Sequence, residues 1–349
     1  MSRFVPLQVP RQLNTLHCPP QLAESVGPDI VREELAGAFT ALMKDNEAEV
    51  RTAAAGQIPG FARLVTPEVI ISRLLPPIRD LSTDQSQHVR AALGGQITGL
   101  APLLGKEATI EHLLPLFLHL LKDEFPDVRL NIISKLEQVN NVIGIELLSQ
   151  SLLPAIVDLA EDKQWRVRQA IIEYIPLLAT QLGVAFFDEQ LGSLCMSWLG
   201  DNVFSIREAA IQNLRRLAEV FSAEWAANTV VPKVLQMGNH PNYLYRMTTV
   251  FAITTIAPTL TPEVLQGAVL QTLLSLVDDP IPNIRFNVAK CMEVLAKTLI
   301  SKRGVRGEDV THRTIIPALE ALKQDSDADV RYFADRALHN TLGLEHVAP

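Results

Sequence analysis

Aspartate and arginine recur six residues apart along this sequence, and no other pair of reactive residue types repeats so regularly. A carboxylate and a guanidinium can form paired, charge-assisted hydrogen bonds. The arginines, which we call anchors, are Arg51, Arg90, Arg129, Arg168, Arg207, Arg246, Arg285 and Arg331. Six residues before them stand Asp45, Asp84, Asp123, Asp162, Asp201, His240, Asp279 and Asp325, so only His240 breaks the series.

Other groups that could form an active site are scattered. Gly105-Lys106 lacks the upstream Gly and the following Ser or Thr of a phosphate-binding loop. His112 and His119 lie seven residues apart, but no Cys or carboxylate pair completes a metal site around them. We therefore expect no catalytic residue, no metal and no cofactor.

The composition narrows the class of protein. Hydrophobic residues make up 48% of the chain and aromatic residues 5%, which is typical of closely packed helices with a Leu, Ile, Val and Ala core. The net charge of −8 disfavours nucleic acid and anionic membranes as partners. No apolar run reaches the roughly 18–20 residues that span a bilayer, and the N-terminus lacks the pattern of a signal peptide.

The cysteines indicate where the protein resides. Cys18, Cys195 and Cys291 are far apart and odd in number, which favours free thiols in a reducing compartment over a disulfide framework. We expect a cytoplasmic protein, with the nucleus as a further location.

The anchors reveal an internal repeat. Six consecutive intervals between them are 39 residues long, and the last is 46. Apolar residues stand seven and ten positions after the anchors, as Ile58 and Phe61 follow Arg51, and this spacing traces one face of an α-helix. A second apolar helix precedes each aspartate. Each unit is therefore two helices joined by a short turn.

The length of the unit and a recurring proline identify the repeat type. Five units carry Pro eight residues before the aspartate position, at Pro76, Pro115, Pro154, Pro232 and Pro317, where it bends the first helix. A two-helix unit of 39 residues fits HEAT repeats. The sequence thus predicts an all-α, superhelical HEAT-repeat solenoid of eight units over residues 29–344.

Two segments depart from the period. Residues 1–28 have no repeat phase, and they either cover the first repeat or are disordered. The seven additional residues between the last two anchors fall at Ser301–Gly307, where two Gly and three basic residues predict an exposed loop between repeats.

The aspartate and the anchor are expected to shape each turn. The carboxylate can accept hydrogen bonds from N–H groups at the start of the second helix. An anchor could also reach the aspartate of a neighbouring repeat and form a ladder of ion pairs. The alternative is a solvated aspartate in each turn.

Several stretches resemble a known family more closely than a general HEAT pattern does. These are DLAEDKQWRVRQAIIEYIPLLATQLGVAFFDEQLGSLCMSWL, PNYLYRMTT and NIRFNVAK, and they resemble the scaffolding (A) subunit of protein phosphatase 2A. The resemblance runs from about Ala36 to Leu342 and corresponds to the C-terminal repeats of that family. It implies a non-enzymatic scaffold. In the family, the phosphatase catalytic subunit docks on turns of the last five repeats and regulatory B-type subunits dock on earlier ones.

The resemblance and the pattern together predict the residues that bind a partner. Equivalent turns of a repeat protein lie on one side, and exposed aromatic residues and arginines are common interface anchors. The predicted partner-binding residues are Trp165, Arg166, Phe204, Tyr243, Pro282 and Asn283. Two alternatives remain open: the aromatic rings cover their own helices, or the protein is another HEAT-type adaptor that binds a peptide or a globular partner on its concave face.

Overall fold

The computed structural model describes residues 35–303 and 305–343, and every regular element within them is helical. The all-α class predicted from the sequence is confirmed for these residues. The segment 1–28, the start of the first predicted repeat and Cys18 lie outside them. The division of residues 29–344 into eight repeats therefore stays a prediction.

The chain divides into two compact units, residues 1–171 and 172–349, and the helix Trp165–Leu182 contains the boundary. The other α-helices described in the first unit are Ala36–Met43, Ala48–Ala62, Pro67–Val69, Leu75–Ser82, Gln87–Gln96, Ala101–Ala108, Leu114–Leu121, Pro126–Ile133, Leu136–Ile143, Ile145–Ser151 and Leu153–Ala160. Those of the second unit are Val184–Gln190, Gly192–Ser197, Phe204–Phe221, Ala223–Trp225, Val231–Gln236, Tyr243–Ile256, Pro262–Val264, Leu270–Ser275, Pro282–Arg303, Val305–Val310, Ile316–Leu322 and Ala328–Gly343. Short 3₁₀ segments occupy Ile97–Leu100, Trp198–Gly200, Met237–Asn239 and Ala257–Thr259.

The helix that follows each anchor buries the predicted apolar stripe. In Phe204–Phe221 the buried residues include Ile206, Ala210, Leu214 and Leu217, which share one face at helical spacing. The side chains seven and ten residues after each anchor are all buried, including the one polar member, Thr341. Its hydroxyl donates to the carbonyl of Ala337 at 2.8 Å, which satisfies the buried oxygen.

A π-helical turn precedes most of the recurring prolines. The π-helical turns are Ile70–Leu74, Thr109–Leu113, Ala226–Val230, Leu265–Val269 and Thr311–Ile315. Each is followed by an α-helix, and Pro stands at the second position of four of these helices. Proline lacks an N–H and crowds the preceding turn, so the wider turn accommodates it. Gln271 occupies the same position after Leu265–Val269, so the π-helical turn does not depend on proline alone.

A backbone conformation favoured by glycine recurs with the same period. Gly105, Gly144, Gly183 and Ser222 each stand 15 residues after an anchor and have φ values of 76°, 85°, 81° and 145°. This conformation ends one helix and lets the chain turn into the next repeat, and Gly adopts it without a steric penalty. Ser222 is the exception in type, and its hydroxyl oxygen accepts from the N–H of Trp225.

The described residues of the segment Ser301–Gly307 are helical rather than the loop that the sequence predicts, although Ser301 and Lys302 are exposed as expected. The helix Pro282–Arg303 extends through its first part, and Val305–Val310 begins directly after Gly304. The ammonium of Lys302 explains the extension, because it donates to the carbonyls of Pro258 and Leu260 at 2.7 and 2.6 Å. The basic residue thus supplies hydrogen bonds to carbonyls at the end of the preceding repeat.

Ion pairs connect consecutive helix pairs within each unit. In one of them, Nε and Nη2 of Arg90 donate to the two carboxylate oxygens of Asp123 at 2.6 and 3.1 Å, while Nη1 donates to the carbonyl of Asp84 at 2.6 Å. We call each such Arg–Asp pair a rung and the series the ladder. The rungs are Arg51–Asp84, Arg90–Asp123 and Arg129–Asp162 in the first unit, and Arg246–Asp279 and Arg285–Asp325 in the second. The ladder is therefore present, and the aspartates of the rungs are not simply solvated.

The rungs lower the pKa values of three of their aspartates, Asp84, Asp123 and Asp325. Hydrogen bonds from Arg285 hold the pKa of Asp325 below its usual range. Burial would raise the pKa of Asp123, but the hydrogen bonds from Arg90 and from the N–H of Phe125 outweigh it and the pKa is lowered. A lowered folded-state pKa means that the stabilisation is complete above the ordinary aspartate pKa of about 3.9 and is lost as the pH falls through the folded value.

Removal of one carboxylate from a buried rung should destabilise the chain strongly. Asp123→Asn leaves the Arg90 guanidinium buried without its counter-charge, and we expect a loss of about 3 kcal/mol. Asp80→Asn is a matched control, because Asp80 pairs with Lys44 at 3.6 Å on the surface, and it should cost less than about 0.5 kcal/mol. Urea unfolding followed by circular dichroism measures both. Equal midpoints for the two variants would contradict a stabilising ladder.

Acid should lower the stability of the folded chain over a defined range of pH. We expect the urea midpoint to stay nearly constant from pH 7 to about pH 4.5, and to fall steeply below about pH 4 as Asp84, Asp123 and Asp325 become protonated. The Asp123→Asn variant lacks one of these groups and should show a shallower fall. An unchanged midpoint at about pH 2.5 would be incompatible with the lowered pKa values.

Candidate protein-interaction surface

Each turn that contains an aspartate between the paired helices is closed by that aspartate and by its own anchor. Oδ1 of Asp162 accepts from the N–H of Gln164 at 2.8 Å, and Nη1 of Arg168 donates to the carbonyl of Asp162 at 2.6 Å. Corresponding carboxylate contacts form in the turns that contain Asp45, Asp84, Asp123, Asp201, Asp279 and Asp325. The carboxylate thus binds the amide of the residue just before the helix, rather than the first amides within it. Hydrogen bonds therefore hold the turn at both ends, and we call such a turn a pinned turn.

This geometry makes the predicted aromatic residues the first residues of their helices. The helices Trp165–Leu182, Phe204–Phe221, Tyr243–Ile256 and Pro282–Arg303 begin at these residues. Helical side chains point back toward the N-terminus of the helix. A residue at the first position therefore overlies the pinned turn, at the rim of its repeat.

The rings differ in how open they are. Phe204 is 55% exposed and Tyr243 45% exposed, so neither ring is covered by its own helix. Trp165 is half-buried, and the guanidinium carbon of Arg166 lies 4.6 Å from its ring centroid, within cation–π distance. The alternative of local packing therefore describes Trp165 better than it describes the other two rings. Partner binding by these residues stays a prediction.

The last two predicted partner-binding residues are Pro282 and Asn283. Pro282 is half-buried and Asn283 is exposed. The side-chain amide of Asn287 donates to the carbonyl oxygen and to Oδ1 of Asn283, at 2.8 and 2.9 Å. Asn283 is thus oriented by its own helix.

The structure brings the predicted residues together only in part. Trp165 and Arg166 lie in the first unit and contact each other. Phe204, Tyr243 and Pro282 lie in the second unit, each three residues before an anchor. They share a register position on successive helices of that unit.

In one repeat, two residues that depart from the repeat pattern contact each other, which the spacing alone did not predict. His240 replaces the aspartate of its turn, and Tyr245 stands where the other anchors follow Val or Ile. The two rings stack with centroids 4.1 Å apart. Nδ1 of His240 also accepts from the N–H of Asn242 at 3.0 Å, so the imidazole closes the turn as a carboxylate does elsewhere. In the sequence, the sign of this stack is that His240 and Tyr245 both depart from the repeat pattern and lie five residues apart in one repeat.

A second cluster that the sequence did not reveal lies at the last two anchors. Phe286 and Phe333 have ring centroids 5.1 Å apart, and Nζ of Lys290 lies 4.8 and 3.8 Å from them. Tyr332, which is 60% exposed, packs edge-on against Phe333. Burial, and the nearby charge of Arg336, lower the pKa of Lys290. The signal in the sequence is an aromatic residue directly after each of these anchors.

The two described cysteines are buried. Burial raises the pKa of Cys195 and of Cys291 to about 12. At neutral pH both are therefore thiols rather than reactive thiolates.

Neither a metal-binding cluster nor a membrane-spanning helix occurs in the part of the chain that the structure describes. No three or more His, Cys, Asp or Glu side chains in 35–303 and 305–343 come close enough to share a metal ion. Within the same residues, no helix has both the length and the apolar character needed to cross a bilayer.

The stack in the His240 repeat generates a prediction. A Cβ added at Gly200 would lie 2.8 Å from the hydroxyl oxygen and 2.9 Å from Cε1 of Tyr245. Gly200→Ala should therefore cost about 1 kcal/mol, because the stacked ring must shift. In a Tyr245→Val background, which restores the residue type of other repeats, the same change should cost nearly nothing. Urea unfolding of the four chains in this double-mutant cycle measures the coupling, and additive effects would contradict the contact.

Two family models match the chain. Residues 28–105 match the model described as PPP2R1A-like HEAT repeat, and residues 111–299 match the one described as PIK3R4-like, middle domain. The second match covers more than half of the chain.

Three curated relatives share one name, that of the regulatory (A) subunit of protein phosphatase PP2A. The relative from Schizosaccharomyces pombe is 62% identical over 74 residues, which are 21% of this chain and 12% of that protein. The relative from Saccharomyces cerevisiae is 48% identical over 126 residues, 36% of this chain and 20% of that protein. The relative from Pisum sativum is 56% identical over 53 residues, 15% of this chain and 13% of that protein. The matched segments thus span a small part of each relative.

Solved structures show the fold. A crystal structure of importin beta matches with a TM-score of 0.67 and 13% identity, covering 94% of this chain and 43% of that one. A crystal structure of Kap121p matches with a TM-score of 0.68 and 17% identity, covering 88% of this chain and 33% of that one. At such identities the likeness supports the helical-repeat fold alone.

The two family models carry different descriptions, and the identities of 48–62% to the curated relatives are the more specific finding. Residues 111–299 belong to the PIK3R4-like middle-domain family, and the PPP2R1A-like HEAT-repeat match at residues 28–105, together with these relatives, supports the family of the scaffolding (A) subunit of protein phosphatase 2A for this chain.

Proposed function

We propose that this chain is a non-enzymatic scaffold that binds the catalytic subunit of protein phosphatase 2A. The observation that carries the proposal is the shared name and high identity of the three relatives. The docking positions would be the pinned turns and first helical residues of the repeats anchored at Arg168, Arg207, Arg246, Arg285 and Arg331.

The geometry of those positions suits an interface. Phe204 and Tyr243 are exposed, and each follows a turn held by hydrogen bonds from its anchor. A ring on a pinned turn loses little conformational freedom when a partner covers it, so more of its burial contributes to affinity. Trp165 with its stacked Arg166 combines two of the residue types most often found at the centre of interfaces.

The mechanism of such a scaffold is geometric. A protein that holds the catalytic subunit at one set of turns and a second protein at another converts their encounter into an intramolecular event. We propose that regulatory B-type subunits use the repeats before Arg168. We propose that the complex forms in the cytoplasm, with the nucleus as a further location.

A double substitution tests the proposed docking site. Trp165→Ala with Arg166→Ala should weaken binding of the phosphatase 2A catalytic subunit by about 30-fold, because a central aromatic and its stacked guanidinium are lost together. Isothermal titration calorimetry with the wild-type chain and the variant measures the change.

The matched control is Gln87→Ala with His88→Ala. These residues occupy the same register positions before Arg90, with the same pattern of one half-buried and one exposed side chain, but in a repeat outside the last five. The control should bind within about twofold of the wild-type chain. If a folded wild-type chain fails to bind, the scaffold function is wrong. If both pairs weaken binding equally, the assignment of the site is wrong.

A further inference from the structure

The ladder is interrupted at Arg207 in the second unit. Rungs elsewhere pair an anchor with the aspartate of the next turn, which stands 33 residues later for Arg246 and Asp279. The residue 33 positions after Arg207 is His240, which has no carboxylate. Within the described residues Arg207 forms no ion pair, and its guanidinium keeps only its contacts with its own turn and the ring of Phe204.

Those remaining contacts hold the guanidinium in the orientation used by the rungs. Nη1 of Arg207 donates to the carbonyls of Asp201 and Asn202 at 2.7 and 3.2 Å. Nη1 of Arg246 makes the equivalent contacts in its own turn, both at 2.9 Å, while its Nε and Nη2 hold Asp279 at 2.6 and 3.1 Å. The Nε and Nη2 edge of Arg207 is therefore set for a carboxylate that the described residues do not supply.

His240 cannot fill this place. Its Nδ1 accepts from the N–H of Asn242, so in the neutral ring the hydrogen is on Nε2. Both side chains at the interrupted rung then have only N–H donors left to offer. An N–H donor at this position gives the Arg207 guanidinium no acceptor, which favours an anion supplied from outside the described residues.

An exposed aromatic ring borders the gap. The guanidinium carbon of Arg207 lies 5.7 Å from the ring centroid of Phe204, which is 55% exposed. A guanidinium edge beside an open ring fits a side chain that ends in a carboxylate and carries methylene groups. The five rungs of the ladder show that this edge of an anchor binds a carboxylate in this protein.

We propose that Arg207, with Phe204 and His240, binds an Asp or Glu side chain of a protein partner, which completes the interrupted rung from outside the chain. The site rests on the geometry of the second unit. The identification of the partner as the phosphatase 2A catalytic subunit rests on the proposed function.

The first experiment uses the chain alone. Acetate is the probe, and the Nε–H signal of Arg207 in a chain labelled with ¹⁵N-arginine is followed by NMR, with assignment from Arg207→Gln. We expect a saturable shift in the wild-type chain. In His240→Asp the new carboxylate should occupy the guanidinium from within, so the shift should vanish and the urea midpoint should rise.

The second experiment measures affinity for the catalytic subunit. His240→Asp should bind about tenfold more weakly than the wild-type chain although it is more stable, because the partner's carboxylate is displaced. Arg207→Gln should lose affinity by a similar factor. Arg215→Gln removes an exposed guanidinium that pairs with Glu219 within its own helix, and as the matched control it should bind normally.

The outcomes separate this inference from the proposed function. If acetate leaves the Arg207 signal unchanged, or shifts it equally in His240→Asp, the carboxylate site is wrong whatever the partner. If the wild-type chain binds the catalytic subunit and His240→Asp binds as tightly, that partner does not supply the carboxylate. If the wild-type chain does not bind the catalytic subunit, the proposed function fails, and the acetate titration alone decides the site.

Discussion

Each anchoring guanidinium of the ladder holds two turns at once, and the arrangement of the helix pairs depends on this double contact. Nη1 of Arg90 closes its own turn through the carbonyl of Asp84, while Nε and Nη2 hold Asp123 in the next. Asp123 in turn orients the amide that leads into its own helix. Because each group has partners in two turns, a structural change in one turn affects the neighbouring turn. It does not have to extend to more distant repeats.

The same contact explains where the candidate interface lies. A pinned turn fixes the position at which the following helix begins, and therefore fixes the direction of its first side chain. Phe204 and Tyr243 occupy that position and stay exposed. The apolar stripe seven and ten residues after each anchor is buried and available only to neighbouring helices. The predicted binding residues and the buried core thus occupy different parts of one helix, which lets the exposed residues differ between repeats without affecting the core.

The fold could be predicted from the sequence because the period repeats the same physical constraints. The stripe, the pairing of helices and the role of aspartate in the turn all follow from spacings within one unit. The contacts of Lys302 could not be predicted, because its ammonium binds the carbonyls of Pro258 and Leu260, which lie 44 and 42 residues earlier in the sequence. The stacking of His240 on Tyr245 was visible only as two separate exceptions, since spacing does not show which rings meet. For the candidate site, residue types and register were predictable, but the exposure that separates Phe204 from Trp165 was not.

The imidazole of His240 serves the turn as well as a carboxylate would, and this has a consequence for how such a chain can vary. Aspartate and histidine codons differ at a single base. One mutation can therefore remove the acceptor of Arg207 while the hydrogen bond to Asn242 that shapes the turn is kept. An evolving chain could gain or lose an anchor that lacks a carboxylate partner without passing through a poorly folded intermediate. Its partners could therefore change while the fold of the scaffold is kept.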